Sequence, residues 1–330
     1  MPTVDEDARR LAWTAYWAAG GLHSCVGSFD SGYSGAIGGF WKGQFAKLQA
    51  SDGVLDLATG NGPLPLLLFS SRAPADCPSV DAVDLAQVAP AWYRPADHAR
   101  IRFHSDVNME QLPFPDGHFT QIISQFGFEY ACRESALREC LRVLTPGGRM
   151  AFVMHHAGSV LARVGRGELA CQALLQREGG LLDEAAKVLP WFARARAGED
   201  LRQNIAANAA RTAYNAALSQ LAADRAKLET PDLALEAADH VHGILAGVAA
   251  DPEPALAALE TYGLALRAAA LRSAEMVSHA LDEGQAQALV EQVQTLRPGS
   301  HVRCRSLSQA EGLLGWGMEM APANALHRSE

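Results

Sequence analysis

The sequence predicts an α/β fold, an open and mainly parallel sheet with helices on both faces. Two observations carry that expectation. Residues 54–62 read Val-Leu-Asp-Leu-Ala-Thr-Gly-Asn-Gly, an apolar run that breaks into a Gly-x-Gly turn. From there to about residue 155, short apolar runs alternate with turn clusters and helical patterns, the order of a sheet built from crossover-connected strands.

Each element follows in turn. Val54, Leu55 and Leu57 suit a strand buried on both faces, with Asp56 inside it. Gly60 and Gly62 let the backbone turn tightly and approach a ligand where a side chain would intrude. Leu64 to Phe69 begin a helix, with Pro63 and Pro65 tolerable in its first turn. Val80 to Leu85 form a second strand ending near Asp84. An acid about 20 positions after such a turn is suited to gripping ribose hydroxyls. Ile101 onward forms a third strand, with Asp106 at its far end. Leu112-Pro113-Phe114-Pro115-Asp116-Gly117-His118-Phe119 is a turn-rich approach to a fourth, Thr120 to Gln125. A helix over Glu134 to Leu144 is stopped by Thr145-Pro146-Gly147-Gly148, and Arg149 to Met154 supply a fifth strand. A third glycine of the dinucleotide fingerprint would fall at position 65, which is Pro65, so a pyrophosphate-bearing cofactor is disfavoured. No Gly-Lys-Ser/Thr is present, which excludes a P-loop.

This order resembles the class I S-adenosylmethionine-dependent methyltransferases, and within them the small-molecule branch of ubiquinone and menaquinone C-methyltransferases. The carrying segments are residues 55–62, Asp84-Leu85, Ser105-Asp106, residues 112–119 and Arg142-Val143-Leu144-Thr145-Pro146-Gly147-Gly148. The resemblance implies a Rossmann-like seven-stranded sheet and S-adenosylmethionine as cofactor, released as S-adenosylhomocysteine. It sets Gly60, Asn61 and Gly62 against the methionine and ribose part, and Asp56 toward the amino group. Asp84, with Leu85 beside it, would hold the ribose hydroxyls. Asp106 would accept from the adenine amino group and Val107 touch the ring. Gln125 would offer its backbone carbonyl to the methionine end. The implied organisation is an N-terminal lid or substrate segment (1–49), a cofactor-binding core (50–157), a helical insertion that caps or dimerises (158–280), and a closing helix and strands (281–330).

The regions outside the resemblance have their own patterns. Asp5 to Ala19 form an amphipathic helix carrying Leu11, Trp13, Tyr16 and Trp17. Gly20 to Phe29 is too glycine-rich for regular structure, and a second helix spans about Ala36 to Leu48. Trp13, Tyr16, Trp17 and Tyr33 are candidates for one wall of an acceptor pocket. Residues 158–280 are rich in alanine and leucine and helical by period. Ile205, Ala209, Thr212, Ala213, Ala217 and Leu221 read as one apolar stripe, and Thr230-Pro231-Asp232 and Asp251-Pro252-Glu253 as helix starts. A helix at Gln285 to Leu296 and strands at His301 to Leu307 and Gly315 to Met320 complete the order.

Composition narrows the function. With 37 acidic against 28 basic residues the formal net charge is −9, which disfavours a nucleic-acid partner. No apolar run reaches the roughly 20 residues that span a bilayer. Met1 to Arg10 do not read as a signal peptide. The six cysteines lack CxxC spacing and fit reduced thiols in the cytoplasm. Asp239-His240-Val241-His242 places its imidazoles on different helix faces, so no metal is expected there. Methyl transfer is an in-line displacement served largely by positioning, and needs a base only for a protonated acceptor. His155 and His156, leaving the fifth strand, are the candidates for that base. His23, Glu129 and Tyr130 are candidates for contacting the acceptor.

The sequence thus leads to a methyltransferase acting on oxygen or carbon of a small aromatic or apolar acceptor, with a homodimer formed through the insertion. Two other readings stand beside it: a protein or carrier-bound substrate, and a non-catalytic cofactor-binding interaction protein.

Overall fold

The computed structural model describes residues 6–22 and 34–322. Seven strands form one sheet: β1 (Gly53–Leu57), β2 (Ser79–Val83), β3 (Ile101–His104), β4 (Phe119–Gln125), β5 (Leu144–His155), β6 (His301–Gln309) and β7 (Gly312–Ala321). Their order is β3-β2-β1-β4-β5-β7-β6. β1 to β5 pair in parallel, and β7 runs antiparallel between β5 and β6. The strand order reverses between β1 and β4, the place where open α/β sheets bind ligands.

β1 shows how the pattern builds two cores. Successive side chains on a strand point to opposite faces. Leu55 and Leu57 pack with Ile122, Phe152, α4 (Arg133–Val143) and α10 (Glu283–Leu296). Val54 packs with Ile123, Val153, α2 (Gly35–Phe45) and α3 (Pro63–Ser70). A strand buried on both sides therefore reads as a continuous apolar run. α10 starts in a capping box, in which Asp282 accepts from the Gln285 N–H and Gln285 accepts from the Asp282 N–H.

Thr145-Pro146-Gly147-Gly148 does not close α4 as a loop. β5 already begins at Leu144, and the ladder jumps from Phe119↔Leu144 to Gln121↔Arg149. The surplus residues on the β5 side form an irregularity in the ladder, where a proline removes no regular pairing.

The chain divides into two compact units, one containing the sheet and the other formed by Arg163–Ala274. The chain passes into the second along α5 (Val160–Leu175) and out along α9 (Glu253–His279). Between them lie α6 (Leu181–Arg196), α7 (Ile205–Arg225) and α8 (Asp232–Ala246). This unit has its own core, which includes Val188, Leu189, Tyr214, Leu221, Val241 and Leu259. In α7 the buried positions are Ala207, Tyr214, Ala217 and Leu221. The expected stripe through Ile205, Ala209 and Thr212 is displaced, and Ile205 is 86% exposed. Tyr214 sets the buried face, because its ring offers far more area than an alanine or threonine. Asp251 accepts from the Glu253 N–H at 3.1 Å, and Pro231 and Pro252 each lie just ahead of their helices, α8 and α9, rather than opening them.

Among the described residues, no helix is long and apolar enough to cross a membrane. Among the same residues, no cluster of three or more histidine, cysteine or acidic side chains could hold a metal ion.

Candidate active site

Among the described residues, three other than glycine adopt the left-handed conformation: Ala58 (φ 51°), Asp106 (φ 58°) and Phe126 (φ 51°). They stand just beyond the carboxyl ends of β1, β3 and β4. Such backbone costs free energy and persists where a site requires it. The turn after β4 is also closely packed, since a Cβ on Gly127 would stand 2.4 Å from that of Ala58.

Asp84, just beyond β2, is buried and organises the glycine turn. Its Oδ2 accepts from the Gly60 N–H and its Oδ1 from the Ala86 N–H, each at 2.8 Å. Burial outweighs these bonds and pushes its carboxyl up to about 6. Asp56 is fully enclosed behind it and accepts from the Thr59 hydroxyl at 2.6 Å. Burial pushes the Asp56 carboxyl up to about 8; the Thr59 hydrogen bond opposes that shift and the nearby Asp84 adds to it.

These strand ends open into a cavity of about 110 Å³. Its floor includes Ala58, Thr59, Asp84, Leu85, Val107 and Gln125, and its walls include Met109, Phe126 and Tyr130. The remaining side is the helix α1 (Glu6–Ala18), which contributes Glu6, Arg9, Arg10, Trp13 and Trp17. The helix end is tied down by Asn61, whose Nδ2 donates to the carbonyls of Trp17 (2.9 Å) and Gly21 (2.7 Å). Trp13 stacks on Trp17 with centroids 5.6 Å apart.

Residues 55–152 match the family described as Methyltransferase domain. Over this segment the chain is similar to class I methyltransferase domains. The demethylmenaquinone methyltransferase of Thermus thermophilus is 42% identical over 109 residues, covering 32% of this chain and 48% of that protein. The ubiquinone/menaquinone biosynthesis C-methyltransferase UbiE of Azotobacter vinelandii is 34% identical over 141 residues, covering 39% and 54%. The chain therefore spans about half the length of the curated relatives it matches. Among solved structures, the YcgJ protein of Bacillus subtilis superposes with a TM-score of 0.32 and 26% identity, covering 42% of this chain and 58% of that one.

The structure brings only some of the expected residues together. Asp84, Leu85, Val107 and Gln125 line the cavity, as do Trp17 and Tyr130. Asp56, Gly60, Asn61 and Gly62 lie in the adjacent turn and are not among the lining residues. Gly60 (φ 54°) faces the Trp17 ring, which a Cβ would approach to 2.5 Å. Asp106 is turned toward the surface, bonded to the Gln87 amide and 3.6 Å from Arg10. Tyr16 packs edge-on against Trp17 and Trp13, and does not reach the cavity. His23 and Tyr33 lie outside the described residues.

Neither candidate for the base, His155 or His156, lines this cavity. Adjacent positions in extended chain point to opposite sides. His155 is enclosed: its N–H and Nδ1 lie 2.7 and 2.8 Å from Glu129 Oε1, and its ring stacks on Phe126 at 4.2 Å. Glu129 is equally buried, so neither member of that pair lines the cavity. His156 stacks on Trp316 at 4.4 Å and its Nδ1 accepts from the Gly158 N–H. Burial holds the His156 imidazole below its ordinary range.

Arg9, Arg10, Thr59, Met109 and Phe126 were not singled out from the sequence. For α1 a signal was present: Glu6, Arg9, Arg10, Trp13 and Trp17 follow the i, i+3, i+4, i+7 spacing of one helix face.

Proposed function

We propose that the cavity beside β1, β2 and β4 binds S-adenosylmethionine and that the chain transfers its methyl group to oxygen or carbon of a small acceptor. The observation that carries this reading is convergence. Four separated segments of the methyltransferase-like region deliver Thr59, Asp84, Val107 and Gln125 to one cavity at four strand ends, three of which bear strained backbone. The residues present suit a nucleoside: Asp84 is a buried carboxylate with lone pairs left for ribose hydroxyls, and Leu85, Val107 and Met109 offer an apolar bed for a base. When bound, the cofactor supplies an electrophilic methyl group on a sulfonium.

The chain's own part is to position and enclose. Trp13, Trp17, Phe126 and Tyr130 form an apolar aromatic wall suited to a flat or hydrocarbon acceptor. Closure by α1 excludes water and orients the reacting atoms, which is the larger share of what this displacement needs. The Azotobacter relative is named a C-methyltransferase of ubiquinone/menaquinone biosynthesis, which favours carbon as the methylated atom. Titration calorimetry should show one S-adenosylmethionine site per chain, and incubation with candidate acceptors should yield S-adenosylhomocysteine; absence of cofactor binding would sink the reading.

A homodimer through the helical unit and a cytoplasmic setting belong to the same proposal. Exposed Ile205, Leu235 and Leu264 on α7, α8 and α9 support the first, and the free cysteines among the described residues support the second. Sedimentation equilibrium that returns a 35.2 kDa species at high concentration would reject the dimer.

A further inference from the structure

Among the described residues no imidazole lines the cavity: His155 is shut behind Phe126 and His156 lies elsewhere. The cavity does contain a guanidinium held for use. Arg9 Nε donates to Glu275 Oε1 at 2.6 Å, and Nη1 donates to the Tyr130 carbonyl at 3.3 Å. Glu275 is almost fully buried, while the Arg9 side chain is 21% exposed and lines the cavity. Nη2 has no hydrogen-bond partner among the described residues. A fork with two nitrogens anchored and the third unspent is preorganised for an anion, because little rotamer entropy remains to be lost. Arg10, the other cation of the lining, is already engaged with Asp7 at 3.3 Å and Asp106 at 3.6 Å. The lining acids are Glu6, Asp84 and Glu110: Glu6 is exposed at the start of α1, Asp84 is bonded to the glycine turn, and Glu110 accepts from the Cys132 N–H at 2.8 Å.

We propose that Arg9 binds an oxyanion of the methyl acceptor, so that the acceptor is taken as its conjugate base: a phenolate, enolate or carboxylate rather than a neutral alcohol or amine. This rests on the methyltransferase reading above and adds the charge of the substrate to it. The acceptor's O–H bond breaks with its proton passing to solvent, and the electron pair left on oxygen is held by the guanidinium. The bond from acceptor to methyl carbon then forms as the bond from that carbon to sulfur breaks, with the latter pair staying on sulfur. If a ring carbon of a phenolate is methylated, its hydrogen leaves afterwards as a proton to water and the C–H pair restores the aromatic ring; an enolate methylated on carbon gives the neutral carbonyl compound directly. Stabilising the anion lowers the acceptor's pKa, which substitutes for a general base.

The test uses binding, read from quenching of tryptophan emission, because Trp13 and Trp17 share the cavity. The probes are two anions with neutral partners: naphthalene-2-carboxylate with naphthalene-2-carboxamide, and pentafluorophenolate with pentafluoroanisole. The full-length protein is expected to bind at least one anion about tenfold or more tighter than its partner, the scale of a charge-assisted hydrogen bond. The first pair reports a carboxylate preference and the second a phenolate preference. Arg9→Gln should bring each ratio to about one. Should loss of Arg9 leave Glu275 buried and unpaired and unfold the chain, the double variant Arg9→Gln/Glu275→Gln removes both members and gives the same reading. A ratio near one in the unaltered protein, a preference that survives in the variants, or no binding of any probe would each overturn the proposal. S-adenosylmethionine titrated into the same samples separates the two claims. Cofactor binding without anion preference removes only the role of Arg9, whereas absence of cofactor binding removes the methyltransferase reading.

Discussion

Asp84 shows how one side chain serves structure and ligand together. Its two oxygens hold the Gly60 and Ala86 N–H groups, so the turn exists in its present shape because the carboxylate is there. Asp84→Ala should weaken S-adenosylmethionine binding by at least tenfold, from loss of hydrogen bonds worth roughly 1.5–3 kcal/mol. Unchanged affinity by calorimetry would remove Asp84 from the site. Asp56 leads to a pH prediction. Its folded pKa, raised from 3.8 to about 8, means that the native state holds its proton more tightly than the unfolded chain. The stability tied to that proton is fully present below the unfolded pKa and is lost as pH rises through the folded one. The melting temperature of the unliganded protein should therefore decline between about pH 4 and pH 8, and Asp56→Asn should flatten that decline. An equally steep profile in the variant would show that another group is responsible. At this scale the sequence was informative where a residue's backbone context decides its place, as at Asp84 and Val107. It was uninformative where a neighbour distant in sequence decides. His155 is withdrawn from the cavity by Glu129 and Phe126, and nothing near position 155 records that.

Among elements, α1 determines access. The cavity beneath it, about 110 Å³, is smaller than the roughly 300–1,000 Å³ of small-molecule sites, so a nucleoside requires α1 or its side chains to move. Tryptophan emission should accordingly change on cofactor binding, and an unchanged spectrum at saturation would refute the movement. Asn61→Ala removes two hydrogen bonds from the helix end. Amide exchange in α1 should then speed up by the equivalent of about 1–3 kcal/mol, with the sheet amides unaffected. Equal protection in variant and parent would show that aromatic packing alone holds the helix. The helix itself was legible from its period, and so was its aromatic face. Its seat on Gly60 was not, because the glycine turn reads as a ligand cradle whether a cofactor or Trp17 rests against it. The same limit explains Thr145-Pro146-Gly147-Gly148. Proline and glycine mark a break in regularity, yet a strand irregularity and a helix stop share that composition.

Across the whole molecule, two units with separate cores predict composite unfolding. Scanning calorimetry should yield a calorimetric enthalpy larger than the van't Hoff value, and equality of the two would mean a single cooperative transition. Among the described residues, the strands of the sheet and the helices between them were legible because each buries a regular apolar pattern. The extent of the helical unit was less so, since alanine-rich helices carry little contrast between faces, as the displaced stripe of α7 illustrates.

The pairing of β5 with β7 also has a temporal side. Met150 lies opposite Met320, a separation of 170 positions (320 − 150), and every residue of the helical unit is made in between. On the ribosome, the flank of β5 that will receive β7 stays open while the whole intervening segment is synthesised. At roughly 5–20 residues per second, that is a wait of about ten seconds or more. An apolar strand edge exposed for so long is a template for the wrong partner, another nascent copy included. A chain that ends before the β6–β7 hairpin would keep that edge for its lifetime. Terminal truncation should thus be felt first as aggregation in the cell, ahead of any loss of cofactor affinity.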